Sequence, residues 1–75
     1  MEARKDGYAI TYRRVKRTNE LVINGEVYDE YEALSEKPHV LSAVIDNHTI
    51  QAVYDGVHTF IQMDNEVLVK KVRWI

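Results

Sequence analysis

Histidine is the first residue type to consider for chemistry in this chain. The sequence contains three histidines, His39, His48 and His58, and no cysteine. A zinc site needs three or four ligands that converge on one point. In the strand register derived below, His39 and His48 share a face but lie at opposite ends of their strands, and His58 points to the other face. We therefore predict no metal site and no bound cofactor.

Three aspartates recur at an interval of nine residues, at Asp46, Asp55 and Asp64. Consecutive turns of an antiparallel meander lie at alternate ends of the sheet. Asp55 should therefore lie a strand length, about 17–20 Å, from the other two. Carboxyl pairs that act as general acid and base are much closer together than that. We interpret all three as turn residues, because aspartate bonds its own backbone in turns.

Nucleophiles and phosphate-binding loops are the remaining enzymatic candidates. Neither Ser35 nor Ser42 lies in a Gly-x-Ser-x-Gly motif, and the threonines lie in none either. Three scattered glycines form no phosphate-binding loop. We therefore predict that this protein is not an enzyme.

Turn-forming dipeptides in the sequence indicate the β-strands that position the histidines and aspartates. Asn24-Gly25 and Asp55-Gly56 are the dipeptides most typical of tight β-hairpins. Asp46-Asn47 and Asp64-Asn65 consist of residue types that tolerate the left-handed backbone of such turns. The 75 residues suffice for one domain. The sequence therefore predicts a single all-β domain over residues 1–75, built as an antiparallel meander.

The register of the meander follows from two-residue loops at 46–47, 55–56 and 64–65. These loops place Ile50 opposite Ile61 and Tyr54 opposite Val57. They also collect one apolar face: Leu41, Ala43, Ile45, Ile50, Ala52, Tyr54, Val57, Ile61, Leu68 and Val72. Because a slip of one residue would scatter this face, the agreement among the turns supports the register.

The opposite face also carries apolar side chains: Val40, Val44, Val53, Phe60, Val67 and Val69. We expect another segment to cover part of it. One candidate is an N-terminal strand over residues 8–17. The other is a short helix over residues 30–36, which would end before Pro38 because proline disfavours helix at the residue that precedes it. A curled sheet, a sandwich or a small barrel would result.

Charge is unevenly distributed along a chain whose net charge is −2. Two basic clusters stand near the termini: Arg13, Arg14, Lys16 and Arg17, and then Lys70, Lys71 and Arg73 beside Trp74. Together they could bind single-stranded nucleic acid or an anionic lipid surface. Alternatively, they form charge pairs with the acidic segment 26–36. We favour charge pairing because nucleic-acid-binding domains are usually basic as a whole.

One resemblance covers most of the chain. The segments 20–25 (ELVING), 54–56 (YDG) and 70–75 (KKVRWI) resemble small uncharacterised domains of Gram-positive bacteria. Such domains can follow membrane-spanning segments at the C-terminus of a longer protein. The resemblance implies no activity and no site residues. The apolar runs of this sequence are too short to span a membrane. We therefore expect a cytoplasmic location. If the chain is a fragment of a membrane protein, we expect it to be the cytosolic part.

Unpaired strand edges are the remaining functional feature of a meander, since they can pair with another chain. Tyrosines and Trp74 are residue types that are enriched at interfaces, whereas Lys70 and Lys71 would discourage pairing at their own edge. We predict a non-enzymatic protein-interaction or scaffold module, as the tail of a larger protein or as a homo-oligomer. Binding to nucleic acid or to an anionic surface is the alternative.

Overall fold

The computed structural model describes residues 1–33 and 35–72, which form two four-stranded antiparallel sheets. The first sheet contains β1 (Glu2–Lys5), β2 (Tyr8–Val15), β3 (Thr18–Ile23) and β4 (Glu26–Glu32) in sequence order. The second contains β5 (His39–Ile45), β6 (His48–Tyr54), β7 (Thr59–Met63) and β8 (Glu66–Lys71), also in sequence order. The predicted all-β antiparallel meander is confirmed. It is a sandwich of two sheets, since the described strands do not close into a barrel.

One core joins the two sheets. It is made of the buried side chains that alternate along the inner strands: Ile10, Tyr12, Leu21, Ile23, Leu41, Ala43, Ile50, Ala52, Ile61 and Met63. Alternation places these residues on a single face of each sheet. The first sheet thus covers the apolar face that the sequence predicts for the second sheet. The expectation that it covers the opposite face is wrong, and Val40 and Val44 on that side remain 53% and 72% exposed.

Tight turns with left-handed backbone connect most of the hairpins. Asn24 and Gly25 have φ angles of 51° and 84°, and Asp46 and Asn47 have 50° and 65°. This geometry matches the twist of antiparallel strands, and it confirms the predicted loops at 24–25, 46–47 and 64–65.

The predicted two-residue loop at 55–56 is wrong, because the loop contains residues 55–58. Tyr54 pairs with Thr59, and Ile50 pairs with Met63 instead of Ile61. The Asp55 side chain accepts hydrogen bonds from the amides of Val57 and His58, at 2.9 and 2.6 Å, and this bonding closes a wider loop. Since the register shifts by two residues, the strands keep their faces. Val57, however, leaves the core and is 58% exposed.

A bulge in β8 accounts for the other differences on the predicted core face. The register of β7 and β8 shifts between Ile61 and Gln62, so that Ile61 pairs with Val69 instead of Leu68. Leu68 and Val69 both pack partly against the core. Val72 lies beyond the strand and is 67% exposed.

The predicted helix over residues 30–36 is also wrong for the described residues. Residues 30–32 complete β4, and residues 33 and 35–38 contain no helix. Arg14 holds this connection by donating to the carbonyls of Lys16 and Ala33, at 2.9 and 3.1 Å, and by an ion pair with Glu36. These contacts favour an extended path, which carries the chain from one sheet to the other.

The two sheets have the same strand order and pairing, and equivalent residues differ by 40 in residue number. Ala3 pairs with Ile10, and Ala43 pairs with Ile50. The bulge repeats at the same interval, since the register of the first sheet shifts between Leu21 and Val22. The contacts between the sheets repeat as well, because β1 lies beside β8 and β4 lies beside β5. The domain therefore has an internal pseudo-twofold symmetry.

Side chains also correspond across this symmetry. Ala9 donates its amide hydrogen to the Asn24 side chain at 2.9 Å, and Thr49 donates to Asp64 at the same distance. Each position of the first sheet thus has an equivalent in the second, and these equivalents supply matched controls for the experiments below.

Candidate interaction surface

Four strands lie at sheet edges in the described part of the chain, and three of them carry formal charges. The charged residues are Glu2, Arg4 and Lys5 in β1; Glu26, Asp29, Glu30 and Glu32 in β4; and Glu66, Lys70 and Lys71 in β8. Charged side chains on edge strands discourage pairing with another chain. By contrast, β5 contains no lysine, arginine, aspartate or glutamate. Its outer edge therefore lacks charged side chains of its own, although the acidic strand β4 lies beside it.

The backbone of β5 presents hydrogen-bonding groups to this free edge. Ile45 and His48 close the hairpin and exchange hydrogen bonds, and this pattern repeats at every second residue of β5. The amides and carbonyls of Val40, Ser42 and Val44 therefore point away from β6. All three side chains are exposed on the outer face of the sheet. The edge of β5 offers alternating donors and acceptors beside apolar side chains.

Only one of these outward groups has a partner from another strand in the described structure. The amide of Ser42 donates to Oδ2 of Asp29, on β4, at 3.0 Å. A side chain from the other sheet thus occupies the centre of the β5 edge. An incoming strand would compete with Asp29 for this amide.

The outer face of the second sheet is nearly free of formal charge. Its side chains are Val40, Ser42, Val44, Thr49, Gln51, Val53, Phe60, Gln62, Val67 and Lys70. Gln62 donates to Gln51 across the strands at 2.5 Å. Lys70, the one formal charge among the described residues of this face, lies over the Phe60 ring with its ammonium 5.7 Å from the ring centroid.

Several of the equivalent positions of the first sheet are charged. Arg4, Arg13 and Glu20 occupy the places that Val44, Val53 and Phe60 hold in the second sheet. The outer faces of the two sheets therefore differ in chemistry although their strand plans agree. In the second sheet, apolar side chains take the place of these charges and form surface of the kind found at protein contacts.

Two residues of the N-terminal basic cluster, Arg13 and Arg14, are engaged within the protein. Nε of Arg13 lies 2.8 Å from Oε1 of Glu20, its cross-strand partner. Arg14 donates to the backbone carbonyls of Lys16 and Ala33 and forms an ion pair with Glu36. Lys16 and Arg17 form the exposed turn between β2 and β3, and Lys16 has a φ of 59°.

The C-terminal basic cluster lies on a different sheet. Lys70 and Lys71 pair with Phe60 and Thr59 on the edge strand β8. The first and last strands are not hydrogen-bonded neighbours, although Lys5 of β1 forms an ion pair with Glu66 of β8. This bond raises the pKa of Lys5. Arg73 and Trp74, which the sequence assigns to the same cluster, lie outside the described residues.

The histidines lie apart, each with partners of its own. Nδ1 of His39 donates to the Lys37 carbonyl at 2.6 Å, and Nε2 bonds with the Tyr12 hydroxyl, also at 2.6 Å. Its ring stacks on Tyr31 with centroids 4.5 Å apart. Burial raises the pKa of Tyr12. This cluster fastens the start of β5 to the first sheet.

His48 belongs to a polar cluster at the opposite end of β5 and β6. Its Nδ1 lies 2.6 Å from Oδ2 of Asp64, and its ring meets Tyr8 edge to face. Tyr8 donates to Asp46 at 2.6 Å, and this bond raises the pKa of the hydroxyl to about 12. These contacts join the two sheets at one end of the sandwich.

The third histidine, His58, lies in the loop that Asp55 organises. Hydrogen bonds from the backbone amides of His58 and Val57 lower the pKa of the Asp55 carboxyl. Among the residues that the structure describes, no three histidine, aspartate or glutamate side chains come together as metal ligands would. Asp46 and Asp64 lie at one end of the second sheet and Asp55 at the other, as the meander requires.

A pH experiment follows from Asp64. The imidazole of His48 and the amide of Thr49 hold the pKa of Asp64 below its ordinary value of 3.8. A carboxyl whose pKa is lowered by folding stabilises the protein above its unfolded pKa, and this contribution is lost as the pH falls through the folded pKa. We expect Asp64→Asn to lower the melting temperature near neutral pH and to have no effect in strong acid.

The asparagine should preserve the fold, because Asn24 accepts the equivalent amide hydrogen bond in the first sheet. Melting curves of both proteins from neutral to strongly acidic pH measure the difference. A deficit that is the same at every pH would show that the charge of Asp64 makes no contribution.

Comparison of the chain with protein-family models, with curated proteins and with solved structures finds no match. Within residues 1–33 and 35–72, no helix has the length and the apolar character needed to cross a membrane.

Proposed function

We propose that this protein is a non-enzymatic interaction module that binds an extended protein segment along the free edge of β5. The observation that carries the proposal is the absence of formal charge from β5, in contrast with the edge strands β1, β4 and β8. Strand addition draws its affinity from backbone hydrogen bonds and its specificity from alternate side chains. The outward groups of Val40, Ser42 and Val44 supply the backbone bonds.

The outer face of the second sheet supports the same function. Val40 and Val44 are exposed on β5 and stand beside an uncharged surface that continues onto β6. An added strand would place every second side chain next to these valines. Apolar cross-strand pairs stabilise a sheet by about 0.2–1 kcal/mol each.

Binding to nucleic acid or to an anionic surface draws less support. Arg13 and Arg14 are each engaged with a carboxylate, and Lys70 lies over an aromatic ring. The Arg14–Glu36 pair joins a basic cluster to the acidic segment 26–36, whereas Arg13 pairs with Glu20, which lies outside that segment.

The test uses a fluorescently labelled synthetic peptide with the sequence of β5, residues 39–45, added to the purified full-length protein. Fluorescence anisotropy measures binding. We expect a saturable increase with the wild-type protein. We expect little or no increase with Val44→Pro, because this substitution removes an outward amide hydrogen and places a ring at the edge.

The matched control is Arg4→Pro, which alters the equivalent position of the edge strand β1. Arg4→Pro should bind the peptide like the wild type. The absence of saturable binding to the wild type, or equal loss in both proline variants, would contradict strand addition at β5.

A further inference from the structure

We infer that the segment which pairs with β5 is the β5 strand of a second copy of this chain, running antiparallel with Ser42 on the twofold axis. This inference rests on the proposed function, since it names the partner for the same edge.

The spacing of the outward groups makes β5 complementary to itself. Val40, Ser42 and Val44 direct their amides and carbonyls to the free edge, and Val40 and Val44 stand at equal distances from Ser42 along the strand. An antiparallel copy centred on Ser42 pairs Val40 with Val44 and Ser42 with its own counterpart. In this register each outward residue exchanges hydrogen bonds with another. Moving the axis to Leu41 or Ala43 leaves one outward residue of each strand without a partner.

The side chains agree with this register. In the centred pairing, Val40 of one copy lies opposite Val44 of the other on the outer face. No lysine, arginine, aspartate or glutamate of β5 meets its own counterpart. Like charges directly opposite each other destabilise a strand pair, and β5 avoids them. Of the four edge strands described, it is the one in which an antiparallel copy meets no charged residue.

Asp29 regulates access to this edge. Its carboxylate accepts the amide hydrogen of Ser42, which lies at the centre of the pairing. A second β5 must displace Asp29 before the two Ser42 residues can bond. The twofold axis also brings the carboxylates of the two Asp29 residues toward each other. Asp29 therefore opposes pairing by competition and by repulsion, so that removing its carboxylate should strengthen self-association.

The experiment measures the molar mass of the full-length protein by sedimentation equilibrium over a wide range of concentration. We expect a weak, reversible dimer for the wild type. Asp29→Ala should dimerise at least about tenfold more tightly, since each tenfold step corresponds to about 1.4 kcal/mol, and a net hydrogen bond contributes about that much. Asp29→Asn removes the charge and keeps an acceptor, and it should fall between the two.

Two substitutions at Val44 test the location of the contact. The double variant Asp29→Ala/Val44→Pro should be monomeric throughout the range. Asp29→Ala/Val44→Lys keeps the amide hydrogen and places a charge beside the partner's Val40, so it should also weaken the dimer. It gives an independent result if the proline variant does not fold, which circular dichroism reports. Asp29→Ala/Arg4→Pro is the matched control and should dimerise like Asp29→Ala.

The outcomes separate this inference from the proposed function. A monomeric wild type together with a monomeric Asp29→Ala would overturn pairing between copies, while binding of the β5 peptide would still support strand addition. A dimer that survives Val44→Lys and Val44→Pro would place the contact on another surface and would also overturn the inference. Failure of both the peptide and the dimer would overturn both.

Discussion

Tyr12→Ala should destabilise this protein more than any other single truncation, by about 3–5 kcal/mol. Tyr12 is 0% exposed and has the largest fully buried side chain among the described residues. Its ring belongs to the core that joins the sheets, and its hydroxyl bonds to His39. Truncation of a buried aromatic side chain removes its burial and leaves a cavity. Because native proteins are stable by only about 5–15 kcal/mol, this loss is a large fraction of the total stability.

Chemical denaturation followed by circular dichroism measures this loss. Tyr12→Phe keeps the ring and removes the hydrogen bond to His39, so it should lose only about 1–2 kcal/mol. The difference between the two variants isolates the packing of the ring. If Tyr12→Phe lowers the unfolding free energy as much as Tyr12→Ala, the hydrogen bond of the Tyr12 hydroxyl, and not the packing of its ring, stabilises the core at this position.

Ile50→Ala should produce the second large effect, a loss of about 2–5 kcal/mol. Ile50 is fully buried at the centre of the second sheet, where β6 pairs it with Ala43 on one side and with Met63 on the other. Deleting a buried aliphatic side chain removes apolar burial and leaves a void that its neighbours fill only in part. The same denaturation experiment measures it.

The control for Ile50→Ala is Val57→Ala. The two-residue loop that the Asp55-Gly56 pair indicates would place Val57 on the core face, whereas the structure leaves it exposed in the loop 55–58. Val57→Ala should therefore change the unfolding free energy by less than about 0.5 kcal/mol. A loss comparable to that of Ile50→Ala would support the shorter loop and contradict the observed register.

Turn residues made the second sheet predictable. Asp46-Asn47 and Asp64-Asn65 are short-range signals, and the period of two along each strand then assigns the faces. The wrong loop length at 55–58 does not change the face assignment, because a shift of two residues keeps each side chain on its predicted face. The bulge in β8 was not predictable, since no glycine or proline marks the position of Leu68.

The first sheet was harder to predict. Its turn at Lys16 and Arg17 contains neither glycine nor asparagine, although Lys16 adopts a positive φ. The glutamates and Ala33 in the segment 30–36 favour a helix locally. Pairing of residues 30–32 with β3 overrides that preference.

The internal symmetry is hard to see in the sequence because few equivalent positions, among them Ile10 and Ile50, are identical. Leu21 corresponds to Ile61, and Ile23 to Met63. The importance of unpaired edges could be predicted from a meander, but the particular edge could not. It depends on where each sheet ends and on the contact between Asp29 and Ser42, which lie on different sheets.

The most direct measurement of the role of β5 is site-resolved amide hydrogen exchange of the full-length protein by NMR, at low and high protein concentration. The amides of Val40 and Val44 point to the free edge and should exchange rapidly in dilute solution. At high concentration they should become protected, while the amides of Glu2 and Arg4, which point to the free edge of β1, continue to exchange rapidly. Protection that does not depend on concentration, or that arises equally on β1, would contradict pairing at β5.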